Sequence, residues 1–202
     1  MPRILTEEAV GEFRERLVDA AERLFARHGL EAVTMRQLAA ELGVSPMTPY
    51  RYFADKDAIL AAVRARAFNR HAEALEAAFE RGSTPIERGN AVGRAYLDFA
   101  LGHPEAYKLM FDVQQPSADE FPELVAAGER SRATMTAHLK AMIEGGLLQG
   151  DPDLIGHMFW SALHGAIQLQ LAGMLKPPFD AEQLAGETMR TMWIGLNASR
   201  GA

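Results

Sequence analysis

Residues 34–53 read TMRQLAAELGVSPMTPYRYF and have the form of two short helices joined by a tight turn. Thr34 is a good N-cap, and Gln37 three positions later completes a capping box. Gly43 can adopt the left-handed conformation that ends a helix, and Ser45 can cap the segment that follows. A short helix, a glycine turn and a second short helix predict a helix-turn-helix.

The second predicted helix carries hydroxyl groups, aromatic rings and a guanidinium, which suit phosphate oxygens and thymine methyl groups. The residues are Pro46, Met47, Thr48, Tyr50, Arg51 and Tyr52, with Lys56 just beyond them. This composition favours DNA binding. The alternative is an ordinary surface turn with solvated polar groups, because a helix-turn-helix is a docking geometry that does not by itself guarantee DNA binding.

The composition limits the class of protein. The chain has 202 residues, of which 48% are hydrophobic, so it is long enough for one large globular domain or two small ones. No stretch is apolar enough for a signal peptide or a membrane span, and no membrane association is predicted. The absence of cysteine excludes disulfides, thiolate catalysis and zinc–thiolate sites, and it fits a cytoplasmic protein.

The net charge of −6 is unevenly distributed along the chain. Residues 1–70 contain 11 Lys and Arg against 10 Asp and Glu, a net charge of +1, whereas residues 71–202 contain 10 against 17, a net charge of −7. An acidic protein is an unusual partner for DNA. A near-neutral first part with local basic residues can nevertheless bind DNA at one end of the molecule only.

The pattern of apolar residues predicts an all-α fold of about nine helices. Apolar side chains recur at three- and four-residue spacing, and no stretch has the period of two that is typical of strands. The helices predicted outside the helix-turn-helix cover residues 6–28, 55–79, 86–102, 104–113, 122–145, 151–174 and 180–197. The first helix and the helix-turn-helix should share one small core, because Leu30 and Val33 continue the apolar face between them.

Residues 17–63 resemble the N-terminal domain of the TetR family of transcriptional regulators. The features that carry the resemblance are the A-x-x-L-F of the first helix, Gly29, the Leu42-Gly43-Val44-Ser45 turn, Tyr50 with Phe53, and Lys56 before Leu60. The resemblance implies a DNA-binding domain in residues 1–54 and a helical domain in residues 55–202 that binds a small-molecule effector and dimerises. Residues 159–165, FWSALHG, further resemble the Trp/His/Gly signature of one subset of the family.

The resemblance also assigns the DNA contacts. It implies that Thr34 holds a phosphate at the helix N-terminus and that Arg36 reaches a base edge. The recognition helix would consist of Ser45, Pro46, Met47, Thr48 and Tyr50, and the residues facing phosphate would be Arg51, Tyr52 and Lys56. Pro49 departs from the large aliphatic or aromatic residue that is usual in the family. Because proline has no N–H, the recognition helix should be distorted, or should begin at Thr48 with Pro49 as its first residue.

The second part of the chain contains many large apolar and aromatic residues, most of which must be core. The family resemblance implies that some of them line an effector cavity, and the candidates are Tyr96, Phe99, Tyr107, Met110, Phe111, Met135, Leu139, Trp160, His164 and Gln168. Trp160, His164 and Gln168 are spaced four apart on one helix face, so their polar tips could orient a mostly apolar ligand. In the alternative interpretation, each tip bonds a nearby carbonyl.

No metal, cofactor or catalytic residue is predicted. His157 and His164 lie seven apart on one helix, but no third ligand stands at a suitable spacing. The chain has no glycine-rich phosphate loop and no recognisable Ser/His/Asp set. The resemblance to the TetR family implies a homodimeric repressor that binds double-stranded operator DNA, dimerises through residues 151–197 and is released by a small, largely apolar effector. A helical ligand-binding protein that has lost DNA recognition and an enzyme with an aromatic active site remain as alternatives.

Overall fold

The computed structural model describes residues 6–111 and 119–198, which form eight α-helices and one short 3₁₀-helix. The α-helices are α1 (Glu7–His28), α2 (Met35–Glu41), α3 (Lys56–Arg81), α4 (Pro85–Gly102), α5 (Pro104–Phe111), α6 (Pro122–Glu144), α7 (Pro152–Leu171) and α8 (Ala181–Ala198). The described residues contain no strand, which confirms the predicted all-α fold. None of their helices combines the length and the apolar character needed to cross a membrane.

The helix ends follow the caps that the sequence predicts. The Thr6 hydroxyl accepts a hydrogen bond from the Ala9 N–H at 3.3 Å, and α1 ends at Gly29, whose φ is 77°. α7 begins at Asp151, which accepts from two N–H groups of the first turn, and α8 begins at Asp180, which accepts from the Gln183 N–H at 2.8 Å. Each cap satisfies donors that a helix N-terminus would otherwise leave without a partner.

The predicted recognition helix is not an α-helix, and this corrects the expected number of nine. Only Pro49–Arg51 form a helical turn, of the 3₁₀ type. Because Pro49 has no N–H to donate, the Ser45 carbonyl accepts instead from the Thr48 N–H at 2.8 Å. The Thr48 carbonyl then accepts from the Arg51 N–H at 3.1 Å. Of the two predicted alternatives, a distorted helix or a start at Thr48 with Pro49 as the first residue, the second describes where the observed turn begins.

Two other helix ends differ from the prediction. α7 ends at Leu171 and not near residue 174, because Gly173 has a φ of 68° and the Met174 N–H turns back to the Leu169 carbonyl at 2.8 Å. α5 is observed to Phe111, and its predicted end at residue 113 lies outside the described residues. The prediction also missed a capping box at the start of α4, where Thr84 and Glu87 satisfy each other's backbone N–H.

The described residues divide into two compact units. Unit 1 comprises residues 6–68, 108–111 and 119–127, and unit 2 comprises residues 69–107 and 128–198. The predicted boundary after residue 54, between a DNA-binding domain and an effector-binding domain, concerns function and is not tested by this division into compact units. It stays a prediction.

Unit 1 has one core that joins α1 to α2 and to Phe53 after the 3₁₀-turn, as the sequence predicted, and this core also includes the first part of α3. The buried residues of this core are Leu17, Val18, Ala21, Leu24, Phe25, Val33, Met35, Leu38, Phe53, Ile59, Val63 and Leu109. Arg66 of α3 adds an ionic contact on the surface, where it pairs with Asp19 and with Glu22 of α1. Such a core fixes the orientation of α2 and of the turn that follows it, which positions the predicted DNA contacts.

Unit 2 is built from α4, α7, α8 and the adjoining parts of α3, α5 and α6. One of its apolar clusters joins Leu139 and Met142 of α6 to Leu148 and Ile155, with Trp193 packed against them. α7 packs against α4 and against α8. Gly156 allows α7 to approach α6 closely, because a Cβ at this position would lie only 2.7 Å from the Thr136 methyl group.

Candidate functional site

The helix-turn-helix of unit 1 presents most of the predicted DNA-contacting residues to solvent. Thr34, Arg36, Ser45, Pro46, Met47, Tyr50 and Arg51 are exposed, and Thr48, Tyr52 and Lys56 are half-buried. Met47 and Tyr50 are 68% and 47% exposed, although both are large apolar side chains. Exposed apolar groups of this size next to basic residues are typical of a binding surface.

Two arginines of this surface are available for a ligand. Within the described part of the chain, the side chains of Arg36 on α2 and of Arg51 on the 3₁₀-turn make no hydrogen bond and no ion pair. An arginine guanidinium presents five donors in a planar fork that matches phosphate oxygens and the O6/N7 edge of guanine. The two side chains therefore combine exposure with unused donors.

Tyr52 and Lys56 are tied to the fold. The Tyr52 ring stacks on the Phe13 ring with 4.3 Å between centroids. The backbone carbonyl of Tyr52 accepts a hydrogen bond from Arg14 Nη1 at 2.5 Å. The Lys56 ammonium donates to the Leu30 carbonyl at 3.1 Å. These contacts hold the turn against α1, so a phosphate would have to share the Lys56 ammonium with Leu30.

Thr34 also has internal partners. Its hydroxyl accepts from the Gln37 N–H at 3.3 Å and donates to Gln37 Oε1 at 2.9 Å, and Gln37 Oε1 in turn accepts from the Thr34 N–H at 2.8 Å. A hydroxyl has a single hydrogen to donate. Thr34 can therefore donate to a phosphate only by releasing Gln37.

Thr34→Ala should lower the free energy of unfolding by about 1 kcal/mol, because it removes the N-cap of α2. Thr34→Ser keeps the hydroxyl and serves as the control, with stability close to that of the wild type. Urea unfolding monitored by circular dichroism measures both. If Thr34→Ala kept full stability while operator binding weakened, the hydroxyl would serve the phosphate and not the cap.

Unit 2 contains a cavity of about 360 Å³, which is within the size range of small-molecule sites in proteins. Most of its lining is apolar, from residues of α4, α6, α7 and α8 such as Val92, Met135, Leu163, Met189 and Trp193. The polar lining groups are few. They belong to Asn90, Tyr96, His138, Trp160 and Arg190. An apolar cavity with a few polar groups suits a largely apolar small molecule.

A chain of side-chain hydrogen bonds runs from the cavity wall into the interior of unit 2. Trp160 Nε1 donates to the Tyr96 hydroxyl at 2.8 Å, and the Tyr96 and Tyr107 hydroxyls are 2.8 Å apart. The Tyr107 hydroxyl lies 2.6 Å from His164 Nδ1, and His164 Nε2 lies 3.4 Å from Gln168 Nε2. The polar tips of α7 thus form one network with two tyrosines, which neither sequence interpretation anticipated.

Of the ten predicted ligand contacts, four line the cavity: Tyr96, Met135, Leu139 and Trp160. His164, Gln168 and Tyr107 belong to the hydrogen-bonded network, and Phe99 packs against His71 with 4.9 Å between ring centroids. Met110 and Phe111 are part of unit 1, where the Met110 carbonyl accepts from Arg64 and the Phe111 ring packs on Phe68. The described lining therefore does not include these six residues.

The sequence interpretation missed several lining residues, and His138 is the most informative of them. Met135, His138, Leu139 and Met142 follow the i, i+3, i+4, i+7 spacing of one face of α6, and all four line the cavity. That spacing was the available signal. Gly89 and Gly93 of α4 were also missed, because a glycine carries no side chain whose periodicity could be read.

Burial changes the acid–base properties of three residues in unit 2. Desolvation lowers the pKa of His71 and of His138 to about 4, so both rings are neutral at pH 7. His71 is fully buried, and its Nδ1 lies 2.7 Å from the Ser131 hydroxyl. Burial also raises the pKa of Tyr96 to about 12, which keeps its hydroxyl protonated.

Metal binding finds no support in the described part of the chain, where no group of three or more His, Cys, Asp and Glu side chains is placed to hold an ion. His157 and His164 bond elsewhere: His157 Nδ1 lies 2.6 Å from the Asp153 carbonyl, and His164 belongs to the network.

Comparison with known families gives two matches, one in each part of the chain. The family model described as "Bacterial regulatory proteins, tetR family" matches residues 17–63, which include α1, α2 and the turn. The model described as "Tetracyclin repressor-like, C-terminal domain" matches residues 90–192, just over half of the chain. The second range contains every residue of the hydrogen-bonded network.

Individual relatives agree with the family matches. The HTH-type transcriptional regulator BetI of Rhizobium meliloti (strain 1021) is 31% identical over 132 residues, which are 64% of this chain and 65% of BetI, so this chain spans just under two thirds of the length of that relative. A solved protein with unknown function from Rhodococcus sp. RHA1 is 30% identical, with a TM-score of 0.80 over 97% of this chain and 98% of the other. The TetR family transcriptional regulator PfmR from Thermus thermophilus is 25% identical, with a TM-score of 0.64 over 84% and 92% of the two chains.

Proposed function

We propose that this chain, which belongs to the tetR family of bacterial regulatory proteins, is a dimeric repressor. The proposed repressor leaves its operator when a small, largely apolar effector binds. Family membership makes it a transcriptional regulator with a DNA-binding helix-turn-helix. The observation that supports the effector is the cavity of about 360 Å³ in unit 2, with its largely apolar lining.

Operator recognition is proposed to depend on α2 and the 3₁₀-turn. Arg36 and Arg51 are exposed with unused donors, and Met47 and Tyr50 extend into solvent between them in sequence. Arginine reads guanine and holds phosphate, and exposed apolar groups contact thymine methyls. The short turn replaces the full recognition helix, so fewer side chains are available to read bases and Arg36 on α2 becomes correspondingly more important.

Arg36→Ala should weaken operator binding by about 1–3 kcal/mol, the usual contribution of an arginine that reads a base edge. Binding to unrelated DNA should change much less. Arg132→Ala, an exposed arginine of α6 in unit 2, is the matched control and should bind the operator like the wild type. Fluorescence anisotropy with the DNA upstream of the protein's own coding sequence measures both. Equal operator affinity of Arg36→Ala and the control would remove Arg36 from the recognition surface.

Dimerisation is proposed to use the outer face of α7 together with α8. One face of α7 carries Leu154, Met158, Gly165 and Leu169, because these residues follow one another at spacings of four, seven and four positions. The three large residues are exposed, and a Cβ on Gly165 would meet nothing within 4 Å. An apolar face with a glycine at its centre allows close approach of a helix from a second copy. A two-fold dimer would present two recognition turns to half-sites about one helical turn of DNA apart.

The repressor mechanism requires that effector and operator oppose each other. If the effector lowers operator affinity by some factor, saturating operator must lower effector affinity by the same factor, because the two binding equilibria are linked. Compounds found by thermal shift with the purified protein can be titrated by calorimetry with and without operator DNA. Unchanged effector affinity in the presence of operator would overturn the release mechanism while leaving DNA binding itself intact.

A further inference from the structure

His138 supplies the cavity with a polar group whose hydrogen-bonding capacity is not used. The residue lies on α6 beside Met135 and Leu139, and it lines the cavity with them. Its Nδ1 is buried and has no hydrogen-bond partner among the described residues. A buried N–H without an acceptor typically destabilises a protein by about 1–3 kcal/mol, so a proton on Nδ1 would be unfavourable.

The two ring nitrogens of His138 have different surroundings. A Cβ built on Gly89 would lie 2.7 Å from His138 Cδ2 and 3.1 Å from His138 Nε2, so the Nε2 edge of the ring lies against α4 where Gly89 lines the cavity. A buried N–H without an acceptor is rare in proteins. Since Nδ1 has no acceptor, the single proton of the neutral imidazole belongs on Nε2. His138 therefore presents an N–H donor at the cavity wall.

The other polar groups of the cavity are already engaged or face water. Trp160 Nε1 donates to the Tyr96 hydroxyl, and Asn90 is exposed. Arg190 is mostly exposed and pairs with Glu187 at 2.5 Å. Among the described lining residues there is no carboxylate, and Arg190 is the only charged side chain. A charged group placed in the cavity away from Arg190 would lose its hydration without gaining a counter-charge there, which is strongly unfavourable.

We propose that the effector is an uncharged carbonyl compound, an ester or a ketone with a hydrocarbon body, whose oxygen accepts a hydrogen bond from His138 Nε2. This inference rests on the proposed function in one respect, namely that the occupant of the cavity is the effector. The hydrocarbon body lies against Met135, Leu139 and the other apolar lining groups, and the oxygen gives the His138 donor its partner.

Three probes of similar length separate the contributions of the oxygen and of charge. They are methyl nonanoate, which is an uncharged ester, decanoate, which is the anion of the isomeric acid, and nonane, which has no oxygen. The two tryptophans of the chain, Trp160 and Trp193, both line the cavity, so their fluorescence reports its occupation. Titration of the full-length protein should show that the ester binds roughly fivefold to tenfold tighter than nonane, which corresponds to one hydrogen bond. The ester should also bind tighter than decanoate.

Two variants test the role of His138. His138→Leu removes the donor and should bind the ester and nonane with equal affinity, whereas His138→Gln keeps an N–H donor and should retain part of the preference for the ester. Thermal unfolding shows that each variant is folded, and calorimetry gives affinities that do not depend on quenching by the imidazole. Tighter binding of decanoate than of the ester, an ester preference that survives in His138→Leu, or no binding of any of the three probes would each overturn the proposal.

The release of operator DNA is measured separately, so the two proposals can fail independently. If the ester binds through His138 and the operator stays bound, the effector mechanism fails while the chemistry of the cavity stands. If other compounds release the operator and the ester is not preferred over nonane, the repressor function stands and the inference about carbonyl compounds falls.

Discussion

Replacing both Leu154 and Met158 with glutamate should convert the proposed dimer into a monomer and weaken operator binding by roughly a hundredfold or more. Leu154 is 62% exposed, and both side chains lie on the outer face of α7. The substitutions therefore leave the core of unit 2 untouched. In an apolar interface between two copies, however, each glutamate would have to lose its hydration without a partner. A monomer binds each half-site independently and loses the benefit of two linked contacts.

Sedimentation equilibrium gives the oligomeric state, and fluorescence anisotropy gives the operator affinity. Phe179→Glu is the matched control, because Phe179 is an equally exposed apolar residue that lies between α7 and α8 and not on the outer face of α7. The control should remain dimeric and bind the operator like the wild type. A double variant that stays dimeric would show that the copies meet through another surface.

His71→Asn should make the protein less sensitive to acid. When the pH is lowered from 8 to 4, the free energy of unfolding should fall by about 3 kcal/mol less in this variant than in the wild type. His71 is fully buried between the Tyr96 and Phe99 rings, and desolvation lowers its pKa to about 4. The unfolded chain takes up a proton on this imidazole near pH 6.5, whereas the folded chain does not until about pH 4. Between these values the unfolded state binds more protons, so the wild type loses stability as the pH falls.

Asparagine can keep a hydrogen bond to Ser131, since its amide lies near the position of the imidazole Nδ1. Urea unfolding gives the free energy of unfolding of both proteins from pH 8 to pH 4. At pH 8 the two values differ only through packing, so any further difference at lower pH is the effect of protonation. Relative to that comparison, the wild type should lose stability against His71→Asn as the pH falls from about 6.5 to 4. Parallel curves throughout this range would mean that His71 does not contribute to the acid sensitivity. His138, whose pKa is lowered in the same way, remains in both proteins.

The local architecture could be predicted because it depends on residues that are close in sequence. The capping box of Thr34 and Gln37 begins α2. Gly43, with a φ of 65°, lies in the turn that follows this helix. The effect of Pro49 was also predictable. A missing N–H is a property of one residue, and its consequence, the bond from Thr48 to Ser45, lies within the same turn. The shortened recognition turn therefore follows from the order of the residues within it.

The cavity could not be predicted in the same way. Helical periodicity shows that Met110 and Met135 lie on apolar faces, but it does not show whether the neighbouring helix fills the space beside them. Met110 is completely buried in unit 1, whereas Met135 lines the cavity of unit 2. The unpaired Nδ1 of His138 depends likewise on which groups the surrounding helices bring near it. Such properties arise from contacts between distant segments, which a single sequence does not specify.

In the chain of hydrogen bonds from Tyr96 to Gln168, the direction of each bond depends on the direction of the next. If Gln168 donates to His164 Nε2, the His164 proton sits on Nδ1 and is donated to Tyr107, and Tyr107 in turn donates to Tyr96. Tyr96 then accepts from both Tyr107 and Trp160. If the Gln168 amide is turned over, the sequence of donors reverses and Tyr96 donates to Tyr107. The rotation of one amide thus determines, three hydrogen bonds away, whether Tyr96 donates a hydrogen bond to Tyr107 or accepts one from it.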